Sequence, residues 1–297
     1  MRKHYLKLVV LLCLSTFFTG CVSSQKPDPF MSGLLLAEAE PISPRIQISI
    51  AQYNEWLYRA ELSSKERSEL LFQRGVAYDA IGLSSLARRD YAESIKLNPA
   101  FAAAHNSVGV HYIQAGMFML AYESFDASLD INPEYSNAIL NRGIALYYGG
   151  RSELAVQDTQ QFLNEDKSDP IRAIWHYITK RSNNAELAIV ELADNREFID
   201  SNDWTSSIID FYLGEVPESR VIASLLADVK SQTQLNHRLC EAYFYLGKFY
   251  AWQGHRGKAE NYFKLSLSTN VYEYIEHKYS RIELANLRQV QPVDAPK

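Results

Sequence analysis

The feature that most constrains the fold of this chain is a set of residues that recurs every 34 positions. Six positions match between the first two copies: Gly75 and Gly109, Tyr78 and Tyr112, Gly82 and Gly116, Ala87 and Ala121, Tyr91 and Phe125, and Pro99 and Pro133. A third copy continues in step at Gly143, Leu146, Gly150 and Ala155. A fixed period of this length indicates one supersecondary unit that stacks on its own copies.

The residue types in each copy show what that unit is. Small residues such as Gly75 and Ala87 allow two helices to touch, and large ones such as Tyr91 fill the space between them. Pro99 follows the second helix, where proline cannot continue a helix and therefore ends it. This is the signature of the tetratricopeptide repeat (TPR), a helical hairpin. We therefore predict an all-α TPR solenoid of helical hairpins with capping helices.

The register of the repeat divides the chain into segments. The third copy has Thr159 where an aromatic residue is expected, and the register returns at Cys240 with Tyr243, Gly247 and Phe263. A polar-faced helix is expected to seal the last hairpin. The predicted order is an N-terminal helix region (45–67), TPR 1 (68–101), TPR 2 (102–135), TPR 3 (136–169), divergent TPR-like hairpins (170–239), a C-terminal TPR (240–273), a capping helix (274–290) and a disordered tail (291–297).

The N-terminus has the layout of a secretory signal. A basic start precedes an apolar run over residues 8–18, which is too short to cross a hydrocarbon core of about 30 Å. We predict a signal peptide over 1–20. The following Thr19-Gly20-Cys21 resembles the lipobox of bacterial lipoproteins, and this resemblance implies that Cys21 is lipidated. Val22 stands where Asp would indicate inner-membrane retention, so we expect an outer-membrane location facing the periplasm.

A lipid-anchored tether is predicted over 21–44, because this segment carries four prolines and little periodicity. Its Leu34–Leu36 patch is interpreted either as a docking site for a partner or second copy, or as a local turn. The next helix has an apolar stripe of Ile46, Ile50, Tyr53 and Leu57. No repeat of their own is expected to cover these residues, so we predict a homodimer formed partly through 34–60.

Charge and motifs exclude several functions. The net charge of −5 argues against nucleic-acid binding, which needs a basic stripe. Three cysteines are too few for a disulfide framework, and Cys240 opens a repeat helix, where a buried, inert thiol is expected. No two histidines have i, i+4 spacing, and there is no phosphate loop or GxSxG motif. We predict no catalytic residue, metal or cofactor; an active site assembled from distant residues remains an alternative.

A protein-binding groove is predicted on the concave face, which the first helix of each TPR hairpin lines. Counting from each repeat start selects apolar, aromatic and amide side chains, without the Lys/Arg set with which chaperone-type TPRs hold a carboxylate. The candidates are Phe72, Val76, Asn106, Val110, Asn137, Asn141, Ile144, Tyr147 and Tyr148. The last four of these are the first to mutate. The alternative is that this face packs on the chain's own termini.

Several stretches are more specific than the repeat consensus. They are 69–83 (ELLFQRGVAYDAIGL), 140–151 (LNRGIALYYGGR), 211–214 (FYLG), 245–250 (YLGKFY) and Glu276-His277. With them the chain resembles the bacterial outer-membrane lipoprotein NlpI family over nearly its whole length. The resemblance implies a homodimeric, non-enzymatic adaptor that binds peptidoglycan endopeptidases and brings one of them to a periplasmic processing protease, thereby influencing cell-wall growth and cell division. The tether and 181–205 match less closely.

Two other functions remain open from the sequence. A TPR lipoprotein can instead assist the assembly of another outer-membrane system, such as a pilus secretin or the barrel proteins. An enzyme with an unrecognised site is the other. The intact 140–151 stretch favours the adaptor over the assembly role, and hydrolysis assays on murein would reveal an enzyme.

Overall fold

The structure is a computed structural model that describes residues 34–39, 41–59 and 61–289 of the chain. Within these ranges every regular element is helical, which confirms the predicted all-α class. The fourteen helices are α1 (Pro44–Arg59), α2 (Ser64–Ala80), α3 (Ser84–Leu97), α4 (Ala102–Gln114), α5 (Phe118–Ile131), α6 (Ser136–Tyr148), α7 (Ser152–Glu165), α8 (Pro170–Asn183), α9 (Ala185–Arg196), α10 (Ser206–Tyr212), α11 (Glu218–Ser224), α12 (Gln232–Trp252), α13 (Arg256–Ser268) and α14 (Ile275–Gln289).

The predicted signal peptide, Cys21 and the tail 291–297 lie outside the described residues, as does most of the tether. None of the helices that the structure describes is both long and apolar enough to span a membrane. Residues from Leu35 onward form one compact unit, and the contacts below lie within it.

In TPR 1, TPR 2 and the C-terminal TPR, the seam of the hairpin is formed by a glycine on the first helix and a ring on the second. A Cβ atom added at Gly75 would lie 2.7 Å from Cε1 of Tyr91, and one at Gly109 would lie 2.6 Å from Cε1 of Phe125. Both rings are almost fully buried. Real Cβ atoms do not approach this closely, so the repeat period records a steric requirement for glycine at this seam.

The turn inside each hairpin requires glycine for a different reason. Gly82, Gly116, Gly150 and Gly254 all have positive φ values, between 70° and 76°. Only glycine adopts this left-handed conformation without a steric penalty. The second recurring glycine of the 34-residue pattern is therefore a helix-ending residue rather than a packing residue.

An Arg–Asp ion pair outside the positions that define the 34-residue pattern also recurs, in repeats 1 and 3. Arg74 Nε lies 2.6 Å from Asp90 Oδ2, and Arg142 Nη2 lies 2.8 Å from Asp158 Oδ1. Each arginine directly precedes the seam glycine, and each aspartate directly precedes the seam residue of the second helix. Both carboxylates are buried. Because a buried charge is costly without a partner, these pairs fix the two helices of repeats 1 and 3 to each other.

The third repeat replaces the seam aromatic with Thr159, and the next hairpin fills the space. Thr159 Oγ1 lies 2.6 Å from Thr179 Oγ1 and 3.4 Å from Nδ1 of the buried His176. His176 Nε2 lies 3.0 Å from Oε2 of Glu191 on α9. Burial lowers the pKa of His176. The departure from the repeat pattern is thus matched by α8, which stacks on α7 where the sequence register stops.

Helix α1 packs differently from the expectation. Its stripe is partly buried, since Ile50 packs against the cluster of Tyr78 and Ala87, and Arg67 Nη1 donates to the Leu57 carbonyl at 2.9 Å. The first repeat therefore covers part of the stripe, contrary to the prediction that no repeat would. The exposed apolar side chains of α1 include Ile48 and Trp56 instead.

The C-terminal hairpin contacts both the first repeat and the end of the predicted tether. The Tyr272 ring lies 2.9 Å from the position of a Cβ atom at Gly82. Asn236 Nδ2 donates to the Glu38 carbonyl at 2.8 Å, and the Tyr243 hydroxyl donates to a carbonyl of the same segment, that of Leu35. Residues 35–39 thus lie against α12.

Candidate functional site

A pocket of about 360 Å³ lies between the first helices of repeats 1 to 3 and the beginning of α14. We call it the inner pocket. Its lining combines apolar, amide and charged side chains: Val76, Asp79, Ala80, Tyr91, Asn106, Ser107, Val110, Asn137, Leu140, Asn141, Glu273, Ile275 and Lys278. Position 9 of the first two repeats supplies Val76 and Val110 to this lining, so the period brings together side chains that are 34 residues apart in the sequence.

Five of the nine candidate residues line the inner pocket. Val76 and Asn137 are exposed and lie at the rim, whereas Asn106, Val110 and Asn141 are buried. The rim can therefore contact a partner, and the buried amides supply hydrogen-bonding groups at the base.

Three candidates in the family-specific stretch lie elsewhere. Ile144 is fully buried. The Tyr147 hydroxyl accepts a hydrogen bond of 2.6 Å from Lys248 Nζ, and the Tyr148 hydroxyl donates to Glu283 Oε1 at 2.7 Å. The two tyrosines therefore contact the C-terminal helices α12 and α14 of the same chain.

Phe72, the remaining candidate, belongs to the interior of the first repeat. Its ring centroid lies 5.5 Å from that of Tyr91 and 4.8 Å from that of Phe101, in tilted arrangements. It does not line the inner pocket. The repeat count predicts that Phe72 faces the groove, but its ring packs in the core of the hairpin.

The contact of α12 with α14 centres on a buried ion pair. Lys248 Nζ lies 2.6 Å from Glu283 Oε1, and the two side chains are 2% and 8% exposed. Burial alone lowers the pKa of Lys248, but Glu283 and the Tyr147 hydroxyl outweigh it and raise that pKa above its ordinary value. The ammonium therefore stays charged, and Glu283 is its counter-ion.

Counting positions in the C-terminal repeat would have identified Lys248 as a residue of the inner face. It follows Gly247 as Val76 follows Gly75, and so occupies an inward position of the C-terminal repeat. Glu283 has no such signal, because α14 belongs to no repeat.

The base of the inner pocket is polar. The Tyr91 hydroxyl donates to Asp79 Oδ2 at 3.2 Å, and His111 Nε2 lies 3.1 Å from the same oxygen. Asn141 Nδ2 donates to Asn106 Oδ1 at 3.0 Å. Among the described residues, Oδ1 of Asn141 is a buried oxygen without a hydrogen-bond partner. An oxygen in this state is ready to accept a hydrogen bond from a bound group.

Helix α14 brings charge to the inner pocket through Lys278, and Glu273 lies just before the helix. The repeat positions predicted a groove without the Lys/Arg set of chaperone-type TPRs, and Lys278 comes from outside the repeats. Burial lowers the pKa of Lys278, and the opposing effect of the Asp79 and Glu273 carboxylates is smaller. No spacing in the sequence places Lys278 here, because the docking of α14 is a single tertiary event and not a repeated one.

The chemistry available at these positions is recognition by hydrogen bonds and charge. In the part of the chain that the structure describes, no group of three or more His, Cys, Asp and Glu side chains is arranged to hold a metal ion. Cys240 is buried, and burial raises the pKa of its thiol to about 12. The thiol is therefore protonated at neutral pH, consistent with the inert thiol expected there.

No protein-family model matches the chain. Among solved structures it is similar to a tetratricopeptide repeat protein from Parabacteroides merdae, with 16% identity, a TM-score of 0.50, and coverage of 83% of this chain and 100% of that one. It is also similar to YrrB, described as a TPR protein with an unusual peptide-binding site (13% identity, TM-score 0.42, 77% and 93% covered). The C-terminal part of a TPR protein from Cytophaga hutchinsonii gives 16% identity, a TM-score of 0.47, and coverage of 76% and 90%. The fold is that of a TPR-containing protein.

Proposed function

We propose that this chain is a non-enzymatic adaptor that binds peptidoglycan endopeptidases and promotes their degradation by a periplasmic processing protease. The TPR solenoid supports a protein-interaction scaffold in general. The resemblance of 140–151 and the other stretches to the NlpI family supports the specific partners. The proposal includes a lipid anchor on Cys21 in the outer membrane, with the repeats facing the periplasm.

The observation that carries the proposal is the inner pocket with its exposed rim. Val76 and Asn137 are open to solvent next to the buried amides of Asn106 and Asn141. Apolar contact area beside hydrogen-bonding groups suits an extended segment of a partner protein, whose main chain needs donors and acceptors.

An adaptor of this kind needs no chemistry of its own. A helical array offers long surfaces on which an endopeptidase and a protease can bind at the same time. Holding the two together raises their effective concentration, and this alone accelerates degradation.

A homodimer is part of the proposal. No residue of α1 is buried, and Ile48 and Trp56 are 56% and 47% exposed. Leu36, at the end of the tether, is 72% exposed. These exposed apolar side chains support an interface, and a second copy of the chain is the proposed occupant.

Affinity purification from detergent-solubilised envelopes, read by mass spectrometry, tests the proposed partners. We expect a peptidoglycan endopeptidase and a processing protease to copurify with the tagged chain. Copurification of a pilus secretin or of barrel-assembly proteins, without either enzyme, would support the assembly role instead.

A further inference from the structure

The inner pocket contains two side chains of opposite charge, Lys278 and Asp79, that are not paired with each other in the contacts described above. Across residues 34–39, 41–59 and 61–289, the Lys278 ammonium makes no hydrogen bond and no ion pair within 4.0 Å. Asp79 accepts from Tyr91 and contacts His111 through Oδ2, and its Oδ1 has no hydrogen-bond partner within the described residues. The pocket therefore offers a cation and an anion to a ligand.

Asn141 gives an independent sign of a ligand. The residue is only 6% exposed, and its Oδ1 lacks a hydrogen-bond donor within the described residues, although its Nδ2 is engaged by Asn106. An amide oxygen buried without a donor costs free energy that a bound N–H group would recover.

The charges restrict the class of ligand. Asp79 and Glu273 line the pocket with Lys278, so its lining carries one more negative than positive group. This balance disfavours phosphates and other multiply charged anions and favours a ligand that has an ammonium as well as a carboxylate. The volume of about 360 Å³ lies at the small end of typical ligand pockets.

We propose that the inner pocket binds a short zwitterionic peptide of about two or three residues, given this volume, with its carboxylate on Lys278, its ammonium on Asp79 and a main-chain N–H on Asn141. This function goes beyond the adaptor role, because it needs no partner protein. The bound peptide would connect α2 to α14 and occupy the pocket beneath the exposed rim. It would therefore compete with a protein segment that enters the same pocket.

Binding of dipeptides to the purified chain tests this inference. A library of Ala-Xaa dipeptides would be screened by saturation-transfer NMR and the strongest binder measured by calorimetry. We expect its C-terminal amide and its N-acetyl form each to bind at least about tenfold more weakly, because each loses one charged contact. Lys278→Gln and Asn141→Ala should weaken binding to a similar degree, and Lys278→Arg should restore part of it.

The matched control is Lys96→Gln, a lysine on α3 that is well exposed and remote from the pocket lining; it should bind as the parent chain does. Melting curves would establish that each variant is folded. The inference is overturned if no dipeptide binds, or if binding survives both C-terminal amidation and the Lys278→Gln change. Equal binding of the N-acetyl form would also overturn it, because it would indicate recognition of a protein C-terminus and not of a zwitterion. None of these outcomes bears on whether an endopeptidase copurifies with the chain.

Discussion

The ion pair of Lys248 with Glu283 shows how one internal contact can make an inward repeat position unavailable to a binding partner. Lys248 occupies the same repeat position as Val76, yet its ammonium lies inside the protein against Glu283, 2.6 Å away. The Tyr147 hydroxyl accepts a hydrogen bond from Lys248, and the Tyr148 hydroxyl donates one to Glu283. The two tyrosines therefore hold the C-terminal helix in place, and replacing either of them would confuse lost stability with lost partner binding.

Breaking this ion pair should be costly. Lys248→Met leaves the Glu283 carboxylate buried without its counter-ion, and we expect a loss of about 3–5 kcal/mol in unfolding free energy. The double variant Lys248→Met/Glu283→Leu should recover most of that loss, because it removes both charges. Urea unfolding of the two variants measures the difference. Equal stability of the single and double variants would contradict a buried pair at this contact.

His277 should make stability depend on pH. The side chain is buried, and burial lowers its pKa to about 4 from the ordinary value of 6.5. Between those values the unfolded chain binds a proton that the folded chain does not. Its contribution is therefore complete above pH 6.5 and is lost as the pH falls towards 4.

The His277→Gln variant isolates this effect, because other titrating groups remain in both chains. The stability advantage of the parent over the variant should shrink by up to about 3 kcal/mol between pH 7.5 and pH 4. Unfolding measured at several pH values checks it. An advantage that stays constant with pH would show that the ring titrates normally in the folded protein.

At the scale of helices, the sequence predicted those elements whose contacts repeat. Helix α3, Ser84–Leu97, belongs to such a hairpin, because the seam of Gly75 with Tyr91 recurs as Gly109 with Phe125. In the divergent region (170–239) the 34-residue pattern is lost, so it does not predict where helices begin and end. Helices α10 and α11 there have seven residues each, against 14 in α3.

The residues of the candidate site likewise fall into two groups, those that the repeat predicts and those that it does not. Val76 and Asn106, which the repeat count predicts on one face, line the same pocket, since both belong to hairpins that stack in register. It could not place Lys278, Glu273 or Glu283, because the position of α14 depends on a tertiary contact that occurs once in the chain. The sequence therefore predicted which residues lie on the inner face, but it did not predict that α14 packs against that face.

The hairpin seam supplies the prediction at this scale. Gly109→Leu forces side-chain atoms into the Phe125 ring, since even a Cβ atom would lie 2.6 Å from Cε1, and we expect a loss of about 1–3 kcal/mol. Gly257→Ala is the matched control, because a Cβ atom there meets nothing within 4 Å and its φ is not positive. Thermal unfolding with circular dichroism compares them. A Gly109→Leu chain as stable as the control would argue against close packing at the seam.

At the scale of the whole molecule, the proposed dimer places its interface on the exposed residues of α1. Ile48→Asp combined with Trp56→Asp introduces charge on that surface without removing the contact of Ile50 with the first repeat. We expect light scattering to report a dimer for the parent chain and a monomer for this variant. Val190→Asp on α9, which is 55% exposed, serves as the control and should stay dimeric. A variant that keeps the dimer mass would move the interface to another surface.

The proposed adaptor role rests on the rim of the inner pocket, and the half-life of the copurifying endopeptidase in cells tests it most directly. Val76→Glu combined with Asn137→Ala changes two exposed rim residues, and Leu187→Glu on α9 is a control of matched exposure, 42% against 41% for Val76. We predict that the endopeptidase half-life lengthens in cells carrying the rim variant, towards that of cells lacking the protein, and is unchanged by the control. A folded rim variant that leaves both the half-life and the copurification of the endopeptidase unchanged would contradict the account.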